Sequence, residues 1–126
     1  METIRSQMTT PVISIYSEAT AQEAAQLMLE KEIGSLLVKG CQGYVGILAE
    51  RDLVHRIVSE GLDPKVTPLS SIMGESILSI DLNATTCEAG TLKKEYNLSH
   101  LTVTDNEEIT GILSLRDLVH KNKVPA

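Results

Sequence analysis

The chain has 126 residues, 42% of them hydrophobic and 22% charged, with 17 acidic side chains against 11 basic ones and a net charge of −6. That length suits one compact domain of ordinary size or two fused half-domains, and it leaves no room for a separate catalytic domain. The acidic balance opposes general attraction to nucleic acid or to an anionic membrane, and with Tyr16, Tyr44 and Tyr96 as the only aromatic residues of the Phe, Tyr and Trp class, there is neither a base-stacking platform nor an aromatic cage.

The N-terminus METIRSQMTT has no apolar signal core, and no stretch approaches the roughly 20 apolar residues of a membrane span, so a soluble cytoplasmic protein is expected. VISI at 12–15 is a short apolar run that predicts a strand. Thr20-x-x-Glu23 has the form of a capping box and opens an Ala-rich helix through Leu27 and Met28 to about Glu32. Two strands come next at 35–38 and 44–48, joined by the turn-like Gly40-Cys-Gln-Gly43 into a hairpin. A last helix after Leu48 is predicted to carry Leu53, Val54, Ile57 and Val58 on one face and to stop at Gly61, a suitable C-terminal cap. The two prolines within 62–70 mark a linker, and 70–73 reads as a helical turn leading into a second unit, with Met8 marking a similar entry to the first.

The same series then begins again. ILSI at 77–80 is the strand, Thr85-x-x-Glu88 the capping box, and 101–104 with 109–113 the hairpin, around Asp105-Asn-Glu-Glu108. Its last helix begins after Leu113 and is shorter, because the chain ends at Ala126. GILAERDLVH at 46–55 returns as GILSLRDLVH at 111–120, 65 residues later, and the same offset pairs Met8 with Met73, Ser14 with Ser79, Ile15 with Ile80, Leu27 with Leu92, Leu36 with Leu101 and Val38 with Val103. One unit is written twice without a gap. Two copies are too few for an open array, and each alone is marginal in size, so a pseudo-twofold pair burying a shared core is expected. The fold class is α/β (α+β), with two βαββα repeats at 5–62 and 72–123 and a linker at 63–71.

The repeated ending carries the chemistry. A strand finishing at Leu113 and a helix starting near Ser114 place unpaired N–H groups and the positive end of a helix dipole at one point, which suits a phosphate. Ser114 adds a hydroxyl there, and Asp117, one turn along, offers two acceptor oxygens for the hydroxyls of a ribose. Arg116 and Lys121, like Arg51 and Arg56 in the first copy, bring positive charge to these helices. Ser114-x-x-Asp117 is equally a capping box that needs no ligand. The first copy reads Ala49-Glu-Arg-Asp52, where the hydroxyl is missing while the arginine and the aspartate remain.

The remaining reactive residues form no recognisable centre. Cys41 and Cys87 occupy unmatched positions of the repeats, which argues against a disulfide framework or a CxxC metal site and leaves them as structural or incidental thiols. His55 and His120 come three residues after Asp52 and Asp117, but neither pair has a third ligand, and a histidine late in a helix is a good partner for the dipole. Ser114, His120 and Asp117 lack the nucleophile, base and orienter arrangement of a hydrolase. No enzyme activity and no metal are expected.

The βαββα order, the paired segments GSLLV and SHLTV, and the endings GILAERDL and GILSLRDL make the chain resemble a tandem pair of CBS domains, the regulatory motif named after cystathionine β-synthase, over about residues 5–123. The resemblance implies two related clefts between the repeats, built crosswise, each able to take AMP, ADP or ATP. In one, Asp117, Ser114 and Arg116, with Ile112, would face Thr10, Pro11, Val12, Ile13, Ser35 and Leu36. In a second, weaker site, Asp52, Arg51 and Ile47 would face Ser76, Ile77, Leu78, Leu98, Ser99 and His100. Ala49 departs from the Thr or Ser of the family, which disfavours phosphate at the Asp52 site, and the family places basic side chains at the position of His100 near phosphates. The implied function is that of a stand-alone, homodimeric energy-sensing regulatory module that needs no cofactor and signals through a conformational change to a protein partner not identified by the sequence. The alternative is a ligand-free pair serving as an assembly element.

Overall fold

Each repeat is organised by a capped helix laid on a three-stranded sheet. The computed structural model describes residues 3–73, 77–96 and 99–115. A short helix, α1 (Ile4–Gln7), is followed by β1 (Ser14–Tyr16), α2 (Ala21–Lys31), β2 (Ser35–Gly40) and β3 (Gly43–Ala49). Next come α3 (Glu50–Leu53), a π-helical segment (Val54–Val58) and a 3₁₀ turn (Leu69–Ser71). The second series is β4 (Ser79–Asp81), α4 (Thr86–Tyr96), β5 (His100–Asp105) and β6 (Glu108–Ser114).

Both predicted capping boxes form. Thr20 Oγ1 accepts from the Glu23 N–H at 3.2 Å while Glu23 Oε1 accepts from the Thr20 N–H at 3.1 Å; at Thr85 and Glu88 the same two bonds measure 3.1 and 3.3 Å. Helix α2 buries Ala21, Ala24 and Met28 and ends at Glu32 in the left-handed conformation. In both sheets the first strand runs parallel to the second and the second antiparallel to the third, giving the orders β1-β2-β3 and β4-β5-β6. Even the irregularity is duplicated, since the register shifts between Val38 and Lys39 in one sheet and between Val103 and Thr104 in the other. Asn106 and Glu107, at the tip of the second hairpin, both have positive φ, as a tight two-residue turn requires.

Burial along the strands separates two faces. Leu36, Val38 and Leu48 join α2 in one core with Ile57, Leu69 and Ile72, while Leu101, Val103 and Leu113 join α4 in another with Ile80, Leu82, Ala89 and Leu115. Residues alternating with these point to the opposite face, as the period of two demands.

The chain divides into two compact units that differ from its two halves. One takes the described residues of Met1–Val12 and Leu78–Ala126, the other Ile13–Ile77. Ile4 of α1 is fully buried in the core of the second repeat, and Leu69, 65 residues later, is fully buried in the core of the first. Thr3 bridges Thr85 and, at the same offset, Pro68 bridges Thr20. Residues 70–73, read from sequence as a turn leading into the second repeat, pack with the first through Ile72 and Met73. Each sheet-and-helix body is thus completed by the segment that precedes the other one.

One expectation needs correction. The helix after β3, expected to carry Leu53, Val54, Ile57 and Val58 on one face, does not place them alike: Ile57 is buried and Leu53 packs beside it, while Val54 is 54% and Val58 72% exposed. Its backbone widens into π geometry over Val54–Val58, with the Ser59 N–H donating to Val54 O, so an α-helical stripe is not maintained. Gly61 does end it, at φ 68. Cys41 and Cys87 are free thiols on the surface, one sitting in the β2–β3 turn and the other in the first turn of α4. The predicted last helix of the second repeat lies outside the described residues.

Candidate functional site

The last strand of each repeat turns into a helix, and the candidate site is built at that turn. In the second repeat, β6 ends at Ser114, which lies opposite His100 at the start of β5, and Ile112 lies opposite Thr102. The alternation of side chains puts Ser114, His100, Ile112 and Thr102 on the face turned away from the core. Ser99 Oγ and His100 Nδ1 are hydrogen-bonded at 3.0 Å, and the Leu115 N–H donates to Ser99 O at 2.8 Å, so Ser99, His100 and Ser114 surround one junction. Thr102 is completely buried and satisfied: its Oγ1 donates to Leu78 O at 3.2 Å, its N–H bonds the same carbonyl, and its hydroxyl meets that of Ser79.

The N-terminal segment reaches this same strand. The Thr9 N–H donates to Ile112 O at 2.8 Å and the Ile112 N–H to Thr9 O at 3.1 Å, while Thr10 Oγ1 donates to Thr110 O at 3.1 Å. Thr10, Pro11 and Val12 therefore belong to one unit with Ile112 and Ser114, although they precede the first repeat in sequence. Thr10 and Pro11 are exposed and Val12 is half-buried. Sequence reasoning singled out Thr10 but missed Thr9, Thr110 and Ile4. The signal lay in the repeat offset, which aligns Thr3, Ile4 and Met8 with Pro68, Leu69 and Met73. Asp117 and Arg116, and His120 with them, lie outside the described residues.

The first repeat has the same backbone and different chemistry. There β3 ends at Ala49 opposite Ser35, and Ile47 lies opposite Leu37. Ser35 and Ile47 are half-buried, but Leu36 is fully buried in the core, so its side chain is not available to a ligand. Ile13, half-buried, accepts the Leu37 N–H at 3.0 Å through its carbonyl. Asp52 Oδ2 accepts from the Ala49 N–H at 2.7 Å, so the half-buried aspartate already closes the start of its own helix. Glu50 lies beside it, and a Cβ built on Gly34 would come within 2.5 Å of Glu50 Oε1. Two acids therefore occupy this helix start, one of them holding an N–H that a phosphate would need. Arg51 and His55 are exposed, the His55 carbonyl accepting from Ser59 Oγ at 2.6 Å. Of the other residues assigned to the second site, Ile77 is half-buried and Leu78 39% exposed, while Ser76 and Leu98 lie outside the described residues. Among the described residues, no group of three or more His, Cys, Asp and Glu side chains could hold a metal ion.

A family model for the CBS domain matches this chain twice, at residues 2–59 and 69–123. The chain belongs to the CBS-domain family. Its α/β fold of two three-stranded sheets with helices is that of a CBS pair, and CBS pairs are regulatory and sensor modules. It is 30% identical over 118 residues to the CBS domain-containing protein YhcV of Bacillus subtilis, covering 94% of this chain and 84% of that one. It is 29% identical over 119 residues to hypoxic response protein 1 of Mycobacterium tuberculosis, covering 94% of this chain and 83% of the relative, and neither relative has an enzyme's name. A crystal structure of a hypoxic response protein with two coordinated zinc ions superimposes with a TM-score of 0.72 at 26% identity, covering 98% of this chain and 100% of that one. The hexameric CBS-CP12 protein of bloom-forming cyanobacteria gives a TM-score of 0.86 at 25% identity, over 98% of this chain and 72% of that chain. No helix among the described residues is long and apolar enough to cross a membrane.

Proposed function

We propose that this CBS pair is a cytoplasmic regulatory module, without enzymatic activity of its own, that binds an adenine nucleotide (AMP, ADP or ATP) and passes the resulting change of conformation to a protein partner. The observation that carries the reading is the junction at Ser114. There a hydroxyl and the Ser99–His100 pair meet at the end of β6, and the segment that leads into Thr10–Val12 is docked on the same strand within one unit. Asp117 would take the ribose hydroxyls, Ser114 and Arg116 the phosphate, and Thr10, Pro11, Val12 and Ile112 would line the base, with Ile13, Ser35 and Leu36 assigned to the same ligand by family resemblance. The Asp52 site, with Arg51, Ile47, Ser76, Ile77, Leu78, Leu98, Ser99 and His100, is the weaker of the two, since Ala49 has no hydroxyl and its N–H is already held by Asp52. Ligand binding acts on a partner through its differential affinity for two arrangements of the module.

Thermal denaturation with a panel of AMP, ADP, ATP, S-adenosylmethionine and NADH tests this. A specific ligand at 100 times its Kd adds about 2.7 kcal/mol of stability. No shift with any member of the panel contradicts the proposal.

A second reading, a ligand-free assembly element, is favoured by the exposure of Val54, Val58 and Leu62 at 54%, 72% and 41% on the last helical segment of the first repeat and its exit. Both readings are compatible with self-association, which the hexameric cyanobacterial relative displays. A homodimer through that apolar strip is the form we propose for this chain.

A further inference from the structure

Strand β6 would be an edge strand of its sheet if residues 8–10 did not lie along it. What permits that approach is Gly111. Its backbone has no positive φ, the positive-φ glycines among the described residues being Gly43 and Gly61, so conformational freedom does not explain a glycine here. Space does. A Cβ at position 111 would lie 2.7 Å from Met8 Sδ, 3.1 Å from Met8 Cγ and 3.0 Å from Thr9 O. Thr9 O is the acceptor of the Ile112 N–H, so a methyl group at 111 presses on the side chain that packs this segment against the core and on a bond that pairs it with β6.

We propose that Gly111 is a positioning residue of the nucleotide site. It lets Met8–Thr10 dock as a strap on β6 and so sets where Thr10, Pro11 and Val12 stand relative to Ser114. The strap is held from its other end by Ile4, fully buried, and by the Thr3 cap on α1, whose Oγ1 accepts from the Ser6 N–H at 3.3 Å. Two backbone bonds and one hydroxyl bond join Thr9 and Thr10 to the strand, so a shift of a few tenths of an ångström at Met8 is transmitted directly to the next three residues. The inference rests on the nucleotide reading above, and its ligand is the same.

The test is amide exchange by NMR combined with calorimetric titration of AMP and ATP, on the full chain and on Gly111→Ala, Met8→Ala and the double variant. Gly111→Ala is expected to speed exchange of the Thr9 and Ile112 amides while leaving the Thr102 amide protected, and to weaken nucleotide binding by about tenfold, the scale of a modest overpacking penalty. Met8→Ala in the same chain removes both Met8 atoms that the new methyl meets, and restores most of the protection and affinity. A Gly111 that merely stabilised the fold would alter Thr102 exchange equally and would not be rescued by Met8→Ala. Gly90→Ala, whose methyl meets nothing within 4 Å, is the control. The wild-type chain supplies a measurement independent of any variant's folding, because saturating nucleotide must slow exchange at Thr9 and Ile112. Failure of AMP and ATP to bind the wild type defeats the nucleotide reading itself. Binding without a change in exchange at those two amides, or a Gly111→Ala loss that Met8→Ala does not relieve, overturns only the role given to Gly111.

Discussion

On the face of the first sheet turned away from its core stand Ser35, Leu37, Ile47 and Ala49; at the matching positions of the second stand His100, Thr102, Ile112 and Ser114. The pairing register of the two sheets is the same, residue for residue, down to the duplicated irregularity in the hairpin. Only one of the four positions is polar in the first repeat, against three in the second. The core faces have stayed alike, with Leu36, Val38 and Leu48 matched by Leu101, Val103 and Leu113. Packing constrains a core side chain to a narrow range of volume and polarity. The other face is free to diverge if something besides the core selects its residues, and ligand recognition is such a pressure. The helix starts diverge as well, since the first carries Glu50 over Gly34 and the second has buried Leu115 beside Ser99.

The comparison can be broken at its structural base first. Ile4 and Leu69 occupy equivalent, fully buried places in opposite units, so Ile4→Ala and Leu69→Ala should each cost about 2–5 kcal/mol, as other deletions of buried aliphatic side chains do. Urea denaturation monitored by far-ultraviolet circular dichroism reads this. A large loss for Leu69 with none for Ile4 would mean that α1 is not part of the second repeat's core.

An exchange of the divergent residues sharpens the contrast. Ser114→Ala removes one hydroxyl and should weaken nucleotide binding by about 1 kcal/mol, the usual net value of one hydrogen bond. Ala49→Ser places a hydroxyl where the first helix now has none and should stabilise the chain by about 1 kcal/mol as an N-cap. If calorimetry shows no weakening for the first and melting shows no gain for the second, the Ala–Ser difference does not govern the sites. The smallest effect is expected on the exposed helical surface. Val58→Ser should change stability by no more than about 0.5 kcal/mol, because the side chain is 72% exposed, and yet it should weaken self-association in analytical ultracentrifugation. Unaltered association would remove this strip from the dimer contact.

Most of the local structure could be read directly from the residues, since Thr20, Glu23, Thr85 and Glu88 announce two helix starts and the hairpins are bounded by turn-forming residues. These are interactions over three or four positions, and spacing encodes them. Two features were not legible. Nothing in the apolar pattern of Leu53, Val54, Ile57 and Val58 distinguishes the π turns at 54–58 from α turns. The burial of Ile4 is a contact with residues between Ile80 and Leu115, which a polar-looking METIRSQM segment does not declare except through its alignment with Leu69. At the site, the repeat exposed the Ala49–Ser114 difference, whereas the Asp52 carboxylate on the Ala49 N–H and the docking of Thr9 on Ile112 needed coordinates.

The inequality of the two sites is the central claim, and calorimetric titration of AMP and ATP into wild type, Asp117→Ala and Asp52→Ala tests it most directly. Removing a carboxylate that holds ribose hydroxyls should cost about 1.5–3 kcal/mol of binding, tenfold or more in Kd; unequal sites require that loss for Asp117→Ala and a clearly smaller one for Asp52→Ala. Equal losses, or a larger loss for Asp52→Ala, would contradict it.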